Sequence, residues 1–317
     1  MKADMASQAS PLDLSSLRVG GKRAMARALA AIEIGAGSPE LAAFLDACVA
    51  HRRAHMIGLT GPPGVGKSTL SNALIRSWRA SGATVGVIAV DPSSQRTGGA
   101  LLGDRARLAT DPEDRGIFVR SMAARDRLGG LSDHAISAAV IMGAIYDYVL
   151  IESVGIGQSE ADISLVADSV ILCIQPGSGD SLQFMKAGIM EVPDVVAVTK
   201  ADMGAPAQRA KAEVEGALTL AAPVSSWKVP VVAVSATTGS GLDGLAAALN
   251  AHESWMDSSG QRVRRRVLQQ RGWIREAIRV RFGSEGLNAA ASLEQNEQKP
   301  FQTELSLAKN LMRRYQP

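Results

Sequence analysis

A long apolar run is the first thing this 317-residue chain lacks: no stretch of about 18 uncharged apolar residues is present, which excludes a helical membrane span. Aromatic residues make up only 4%, too few for a platform of stacked rings that would hold single-stranded nucleic acid. Cysteine is limited to Cys48 and Cys173, which show neither metal nor redox spacing and point to a reducing compartment. An excess of one charge is missing too. Lys and Arg number 34 against 31 Asp and Glu, and the net +3 implies no polyanionic partner without a local basic cluster. The N-terminus lacks the basic-then-apolar pattern of a secretory signal, so the cytoplasm is the expected location. What remains, 46% hydrophobic and 21% charged, is the composition of a globular chain long enough for one α/β core with appendages, or for two domains.

Against this plain background stands Gly61-Pro62-Pro63-Gly64-Val65-Gly66-Lys67-Ser68-Thr69, a complete G-x-x-x-x-G-K-[ST] phosphate loop. His55–Thr60 before it reads as a short buried strand, and Lys67–Ala80 after it as a helix with apolar Leu70, Ala73, Leu74 and Trp78 at helical spacing. Glycines let successive N–H groups curl around a phosphate chain, and the helix N-terminus adds partial positive charge. In this reading Gly61, Pro62, Gly64, Val65, Gly66 and Thr69 shape the cradle, Lys67 reaches the β- and γ-phosphates, and the Ser68 hydroxyl ligates Mg²⁺.

Strand-like runs then alternate with helical stretches: Val85–Val90, Ile117–Arg120, Tyr148–Ile151, Ser169–Ile174, Val195–Val198 and Val231–Val234 are all rich in branched apolar residues. Such runs predict an α/β fold, a P-loop NTPase with a mostly parallel, doubly wound sheet. Helical extensions flank it: the expected division is 1–54, 55–257 for the nucleotide domain, and 258–317. Ser38-Pro39-Glu40 reads as an N-cap with proline at the first helical position, so two short helices joined through Gly35-Ala36-Gly37 fit Ala24–Val49.

Ligands of such sheets sit at the carboxyl ends of the strands. There Asp91 is placed to hold Mg²⁺ directly or through water, or else to shape the turn before Pro92. Glu152 ends an apolar strand and is followed by Gly155 and Gly157, the form of a Walker B segment with a phosphate-sensing switch. Gly155 can present its N–H to a γ-phosphate. Gln158 is a candidate for positioning the attacking water, with a structural amide as the alternative. Thr199-Lys200-Ala201-Asp202 selects the base: the Asp202 carboxylate would accept from guanine N1–H and the 2-amino group, and adenine would leave it unpaired. Ser235-Ala236-Thr237 is similar to the element whose backbone N–H meets guanine O6. The expected ligand is GTP or GDP with Mg²⁺, not ATP.

Three segments carry a family resemblance: Asp91-Pro92-Ser93-Ser94-Gln95-Arg96-Thr97-Gly98-Gly99, Glu152-Ser153-Val154-Gly155-Ile156-Gly157-Gln158-Ser159-Glu160 and Gln175-Pro176-Gly177-Ser178-Gly179-Asp180. They resemble the MeaB/ArgK/MMAA family of P-loop GTPases, of the SIMIBI class, which act as chaperones for adenosylcobalamin-dependent acyl-CoA mutases such as methylmalonyl-CoA mutase. The resemblance implies a homodimer that docks on the mutase and gates its cobalamin, a cofactor belonging to the client. It also implies slow hydrolysis alone and a mobile element at Gly177–Asp180, Gln183 and Lys186 that relays the partner's presence. Arg96 and Arg105 are candidates for an arginine finger. Three departures are visible: Thr199 stands where the family has Asn, Ser153 where it has Thr, and Met122–Arg127 is more charged than the Ser-rich family version.

Other readings stay open at this level. Arg264-Arg265-Arg266 opens a helix, running from Gln261 to Phe282, whose Trp273, Ile274, Ile278 and Phe282 face could pack on this chain or on a second copy. The arginine run alone could suggest nucleic acid, but no other basic cluster supports it. His51 and His55, four apart, raise a metallochaperone delivering nickel. The phosphate loop is also compatible with a small-molecule kinase, which would need a general base near the γ-phosphate.

Overall fold

The computed structural model describes residues 12–91, 110–111, 113–123, 131–153, 162–177, 192–220, 226–291 and 298–315, with the backbone alone at 91, 123 and 315. Seven strands form one sheet: β1 (His55–Thr60), β2 (Val85–Asp91), β3 (Ile117–Ala123), β4 (Tyr148–Glu152), β5 (Ser169–Ile174), β6 (Val195–Val198) and β7 (Val231–Ala233). Their order is β3-β2-β4-β1-β5-β6-β7, and every pairing is parallel. The expected runs are all strands, though β3 continues three residues beyond Arg120.

Side chains alternate across the pleat and divide the core between two faces. Met56, Ile88, Val149, Ile151 and Val170 pack toward α4 (Asp133–Gly143) and the N-terminal helices. Ile57, Leu59, Val87, Leu150 and Ile171 meet α3 (Lys67–Ala80) and α6 (Leu242–Ser258). Helix α5 (Ala205–Leu220) covers the far side of β6 through Ala210 and Val214. In α3 the four residues placed at helical spacing are all buried, and Trp78 stacks on Tyr148 at 4.6 Å.

The N-terminal helices are α1 (Leu14–Ile34), interrupted at Gly21 with φ 58°, and α2 (Pro39–Ala50). The first therefore begins ten residues earlier than its alanine-rich part suggested, because Asp13 caps it by accepting from Ser16 N. Ser38 caps α2 as expected, accepting from Leu41 N at 3.2 Å.

At the other end α7 (Gln261–Ala290) is continuous up to Gly283, whose φ of 67° and ψ of −164° break it just after Phe282. One apolar face is covered within this chain: Trp273 joins the core beside α4, while Ile274 and Ile278 pack on Leu307, Ala308 and Leu311 of α8 (Pro300–Tyr315). Helix α8 is capped from a distance. The Asp46 carboxylate on α2 accepts from Phe301 N at 2.9 Å and Gln302 N at 3.1 Å. Between α1, α2, α4, α7 and α8 lies a cavity of 520 Å³ lined by Trp273, Phe301, Asp133, Arg281 and Glu304 among others.

The arginine run lies against the sheet's amino edge. Arg265 grips Asp194 at 2.7 and 2.8 Å, and Arg266 grips Asp168 at 2.9 and 3.1 Å. Asp168, fully buried, also receives Arg52 at 3.0 Å and Met56 N at 3.1 Å, with Arg262 3.6 Å away. Burial raises the Asp168 pKa, but Arg52 and Arg266 outweigh it and hold the carboxyl well below the ordinary range. Beside it Ser169 Oγ lies 2.7 Å from both His55 Nε2 and His252 Nδ1. The outer nitrogens of the two rings approach Glu253 and Asp194 at 3.2 Å, off the line of a hydrogen bond. His51, by contrast, ends α2 in solvent, so the two histidines four apart share no helix face. Among the described residues no cluster of three His, Cys, Asp or Glu can hold a metal, and no helix is long and apolar enough to cross a membrane.

Asp168→Ala strands buried guanidinium groups and is expected to cost about 3–5 kcal/mol in denaturant unfolding, whereas Arg279→Ala, at an exposed pair with Glu276, should leave the unfolding midpoint unchanged. Glu304 offers a pH test. Burial, with Asp133 nearby, raises its pKa from 4.5 to about 7. A carboxyl raised on folding stabilises below its unfolded pKa and loses that contribution as pH climbs through the folded value. Stability should therefore fall between pH 4.5 and about 7, and Glu304→Gln should flatten that slope in thermal melts across this window.

Candidate functional site

Because every strand is parallel, all seven carboxyl ends share one edge, and three loops rise from it next to one another. The phosphate loop follows β1. Gly61, Gly64 and Gly66 have φ of 137°, 75° and 100°, values that side-chain-bearing residues rarely adopt. At Gly61 there is no room either: a Cβ would sit 2.4 Å from the Cys173 carbonyl oxygen. Val65 is fully buried and anchors the loop, while Pro62, Gly64 and Thr69 lie at its partly covered or exposed rim. Lys67 Nζ, largely buried, donates to Gly61 O at 2.7 Å and Pro62 O at 3.2 Å, so its ammonium sits inside the turn of the loop.

The second loop starts at Glu152, whose register places it opposite Leu59 of β1 and Ala89 of β2. Its carboxylate is 7% exposed and spans α3: Ser68 Oγ donates to Oε1 at 2.8 Å and Ser71 Oγ to Oε2 at 2.9 Å. Ser153 is held by Thr60 Oγ1 at 3.0 Å and by Leu59 O at 3.0 Å. Asp91 ends β2 two residues beyond Ala89, at the same edge. Gly155 and Gln158 lie outside the described residues, as do Arg96, Arg105, Asp180, Gln183 and Lys186.

The third loop follows β6. Thr199 turns its hydroxyl inward, to Val65 O at 2.7 Å and Ile174 O at 3.1 Å. Lys200 adopts φ 55°, the one positive-φ residue other than glycine among those described, and its Nζ donates to Gly64 O at 3.2 Å and Gln175 Oε1 at 2.6 Å. Asp202 is exposed; a hydrogen bond from Ser235 holds its carboxyl below the ordinary value. The loop after β7 is tied in through Ala201 N to Val234 O at 3.2 Å, and Ser235 closes a turn by accepting from Gly239 N at 2.9 Å. Ala236 and Thr237 follow at its increasingly exposed outer side.

Four contributors went unread in the sequence: Ser71, Thr60, Cys173 and Gln175. Ser71 carries a signal, since it stands one turn after Ser68 on the same helix face. Thr60 directly precedes Gly61, and Cys173 and Gln175 are brought to the site by the pairing of β5 with β1. Cys173 lies under the loop, its thiol pushed up to about 12 by burial, with Lys67 pulling the other way.

The donor set of Ser68 and Glu152 is all oxygen, which fits a hard cation such as Mg²⁺ that takes one or two protein ligands and the rest from phosphate and water.

Residues 25–290 match the family described as methylmalonyl Co-A mutase-associated GTPase MeaB. A Pyrococcus horikoshii protein, a GTPase by name only, is 44% identical over 227 residues, covering 67% of this chain and 68% of that one. The mitochondrial methylmalonic aciduria type A homolog of Mus musculus is 36% identical over 222 residues, covering 69% of this chain and 54% of the mouse protein. Among solved structures, the crystal structure of a LAO/AO transport system kinase superposes with a TM-score of 0.66 at 25% identity, over 94% of this chain and 96% of that one.

Gly61→Ala tests the tightness of the loop. With φ 137° and a carbonyl 2.4 Å from the new methyl, it should lower stability by about 1–3 kcal/mol and weaken nucleotide binding at least tenfold, read by thermal melts and calorimetric titration.

Proposed function

The chain belongs to the family of methylmalonyl Co-A mutase-associated GTPases, and from that membership together with the site we infer that it binds and hydrolyses GTP to gate cobalamin loading of a mutase. The client in this reading is an adenosylcobalamin-dependent acyl-CoA mutase, methylmalonyl-CoA mutase or a close relative, and the cobalamin is the client's own.

One observation supports this most: the base-selecting loop is fastened to the phosphate loop. Thr199 Oγ1 on Val65 O and Lys200 Nζ on Gly64 O join them directly. A base recognised at Asp202 and a triphosphate held at Gly61–Thr69 are thereby kept at one fixed separation, as a single nucleotide requires. Within that frame Lys67 exchanges its carbonyl partners for phosphate oxygens, and Ser235 keeps Asp202 ionised and aimed. Glu152 and Ser68 would hold Mg²⁺, with Asp91 beside them; the ion's contribution is to neutralise phosphate charge during transfer. Gly155 and Gln158 are proposed for γ-phosphate sensing and water positioning.

A homodimer is the assembly proposed from the resemblance. The inner face of α7 is covered within this chain, which leaves the exposed Val263 and Leu268 of its outer face for a second copy; sedimentation velocity distinguishes one copy from two.

Two measurements test the reading. Wild-type protein should prefer GTP to ATP by at least a hundredfold, and Asp202→Ala should erase most of that preference; equal binding of both by the wild type overturns the guanine assignment. Addition of the cobalamin mutase should accelerate GTP turnover. A rate unchanged by the mutase, with guanine preference intact, would remove the client and leave the GTPase.

A further inference from the structure

Glu152 is the acid around which α3 is arranged. Its two oxygens are taken by hydroxyls from successive turns of one helix, Ser68 at 2.8 Å and Ser71 at 2.9 Å. Residues three apart lie on the same helix face, so both can reach one carboxylate from the same side. The two serines differ in depth. Ser68 is at the loop and half-covered, whereas Ser71 is fully buried behind it and can touch no ligand.

A serine hydroxyl has one proton. When Ser68 gives that proton to Glu152 Oε1, its rotor is fixed and its lone pairs turn away from the carboxylate, free for a cation. That orientation holds only while Oε1 stays put. Ser71 secures it by anchoring Oε2, because a carboxylate gripped at both oxygens cannot swing about its last side-chain torsion. We propose that Ser71 is a positioning residue for the divalent cation, acting through Glu152 on the hydroxyl of Ser68. The proposal rests on the reading of Ser68 and Glu152 as the Mg²⁺ site and names a residue of that site which no motif contains. Groups that orient metal ligands typically change metal affinity 10–100-fold when removed.

The test uses the full chain, Mg²⁺ and a fluorescent GDP analogue. The release rate of the analogue is followed as Mg²⁺ is titrated, and its affinity is measured separately in EDTA. Ser71→Ala should raise the half-effective Mg²⁺ concentration about tenfold while affinity in EDTA stays within about twofold of wild type. Ser71→Cys, which leaves no cavity but is a weak donor, should shift the Mg²⁺ midpoint in the same way. An unchanged midpoint in Ser71→Ala overturns the proposal. So does an equal loss of affinity with and without Mg²⁺, or a Ser71→Cys variant that behaves as wild type, since either result makes Ser71 a packing residue. Ser68→Ala separates the layers: if it leaves the Mg²⁺ midpoint unmoved, the cation site itself is misplaced and the role of Ser71 falls with it.

Discussion

A buried carboxylate must be compensated where it stands, and Asp168 imposes that demand on half the molecule. It lies at the amino edge of the sheet, at the start of β5, with no solvent contact. The groups that answer it come from far apart in sequence: Arg52 from beyond α2, Met56 N from β1, and Arg262 and Arg266 from α7. Arg52 is itself so enclosed that burial lowers its pKa to about 10 despite the neighbouring charge of Asp168. Removing one partner from such a cluster leaves a buried charge uncompensated, so its members are costly to separate. The consequence is a closed amino edge. Both helical extensions are fastened there or on the flank of the sheet, and the carboxyl edge is left to loops.

At that carboxyl edge the binding geometry comes from carbonyls as much as from amides. Gly61, Pro62, Gly64 and Val65 each give their carbonyl oxygen to a side chain of Lys67, Thr199 or Lys200. Lys67 takes those of Gly61 and Pro62 from inside the turn, while Thr199 and Lys200 take those of Val65 and Gly64 from the loop after β6. The loop after β6 is therefore part of the scaffolding of the phosphate loop.

The sequence was most legible where the determinants are local. The phosphate loop, the strand before it and α3 after it follow from glycine placement and periodicity within twenty-odd residues, and the six branched apolar runs are all strands of the same parallel sheet. It was least legible where the partner lies on another element, far along the chain. Asp46 reads as one more acid on a helix until α8 is laid against it. Arg264–Arg266 reads as a basic patch, although two of its three guanidinium groups are paired with buried carboxylates. The apolar stripe of α7 was visible, but whether this chain or another would cover it was decided by α8. Ser71 shows the same limit at short range: its helical phase is evident, while the acid it serves arrives from β4.

Ser169 stands between two imidazoles with a single hydroxyl proton to offer. It can donate to one ring at most, so at least one near nitrogen supplies the hydrogen of its own contact, and with two lone pairs the oxygen can also accept from both. One small side chain at the start of β5 thereby ties β1 to α6, with Glu253 near one outer nitrogen and Asp194 near the other.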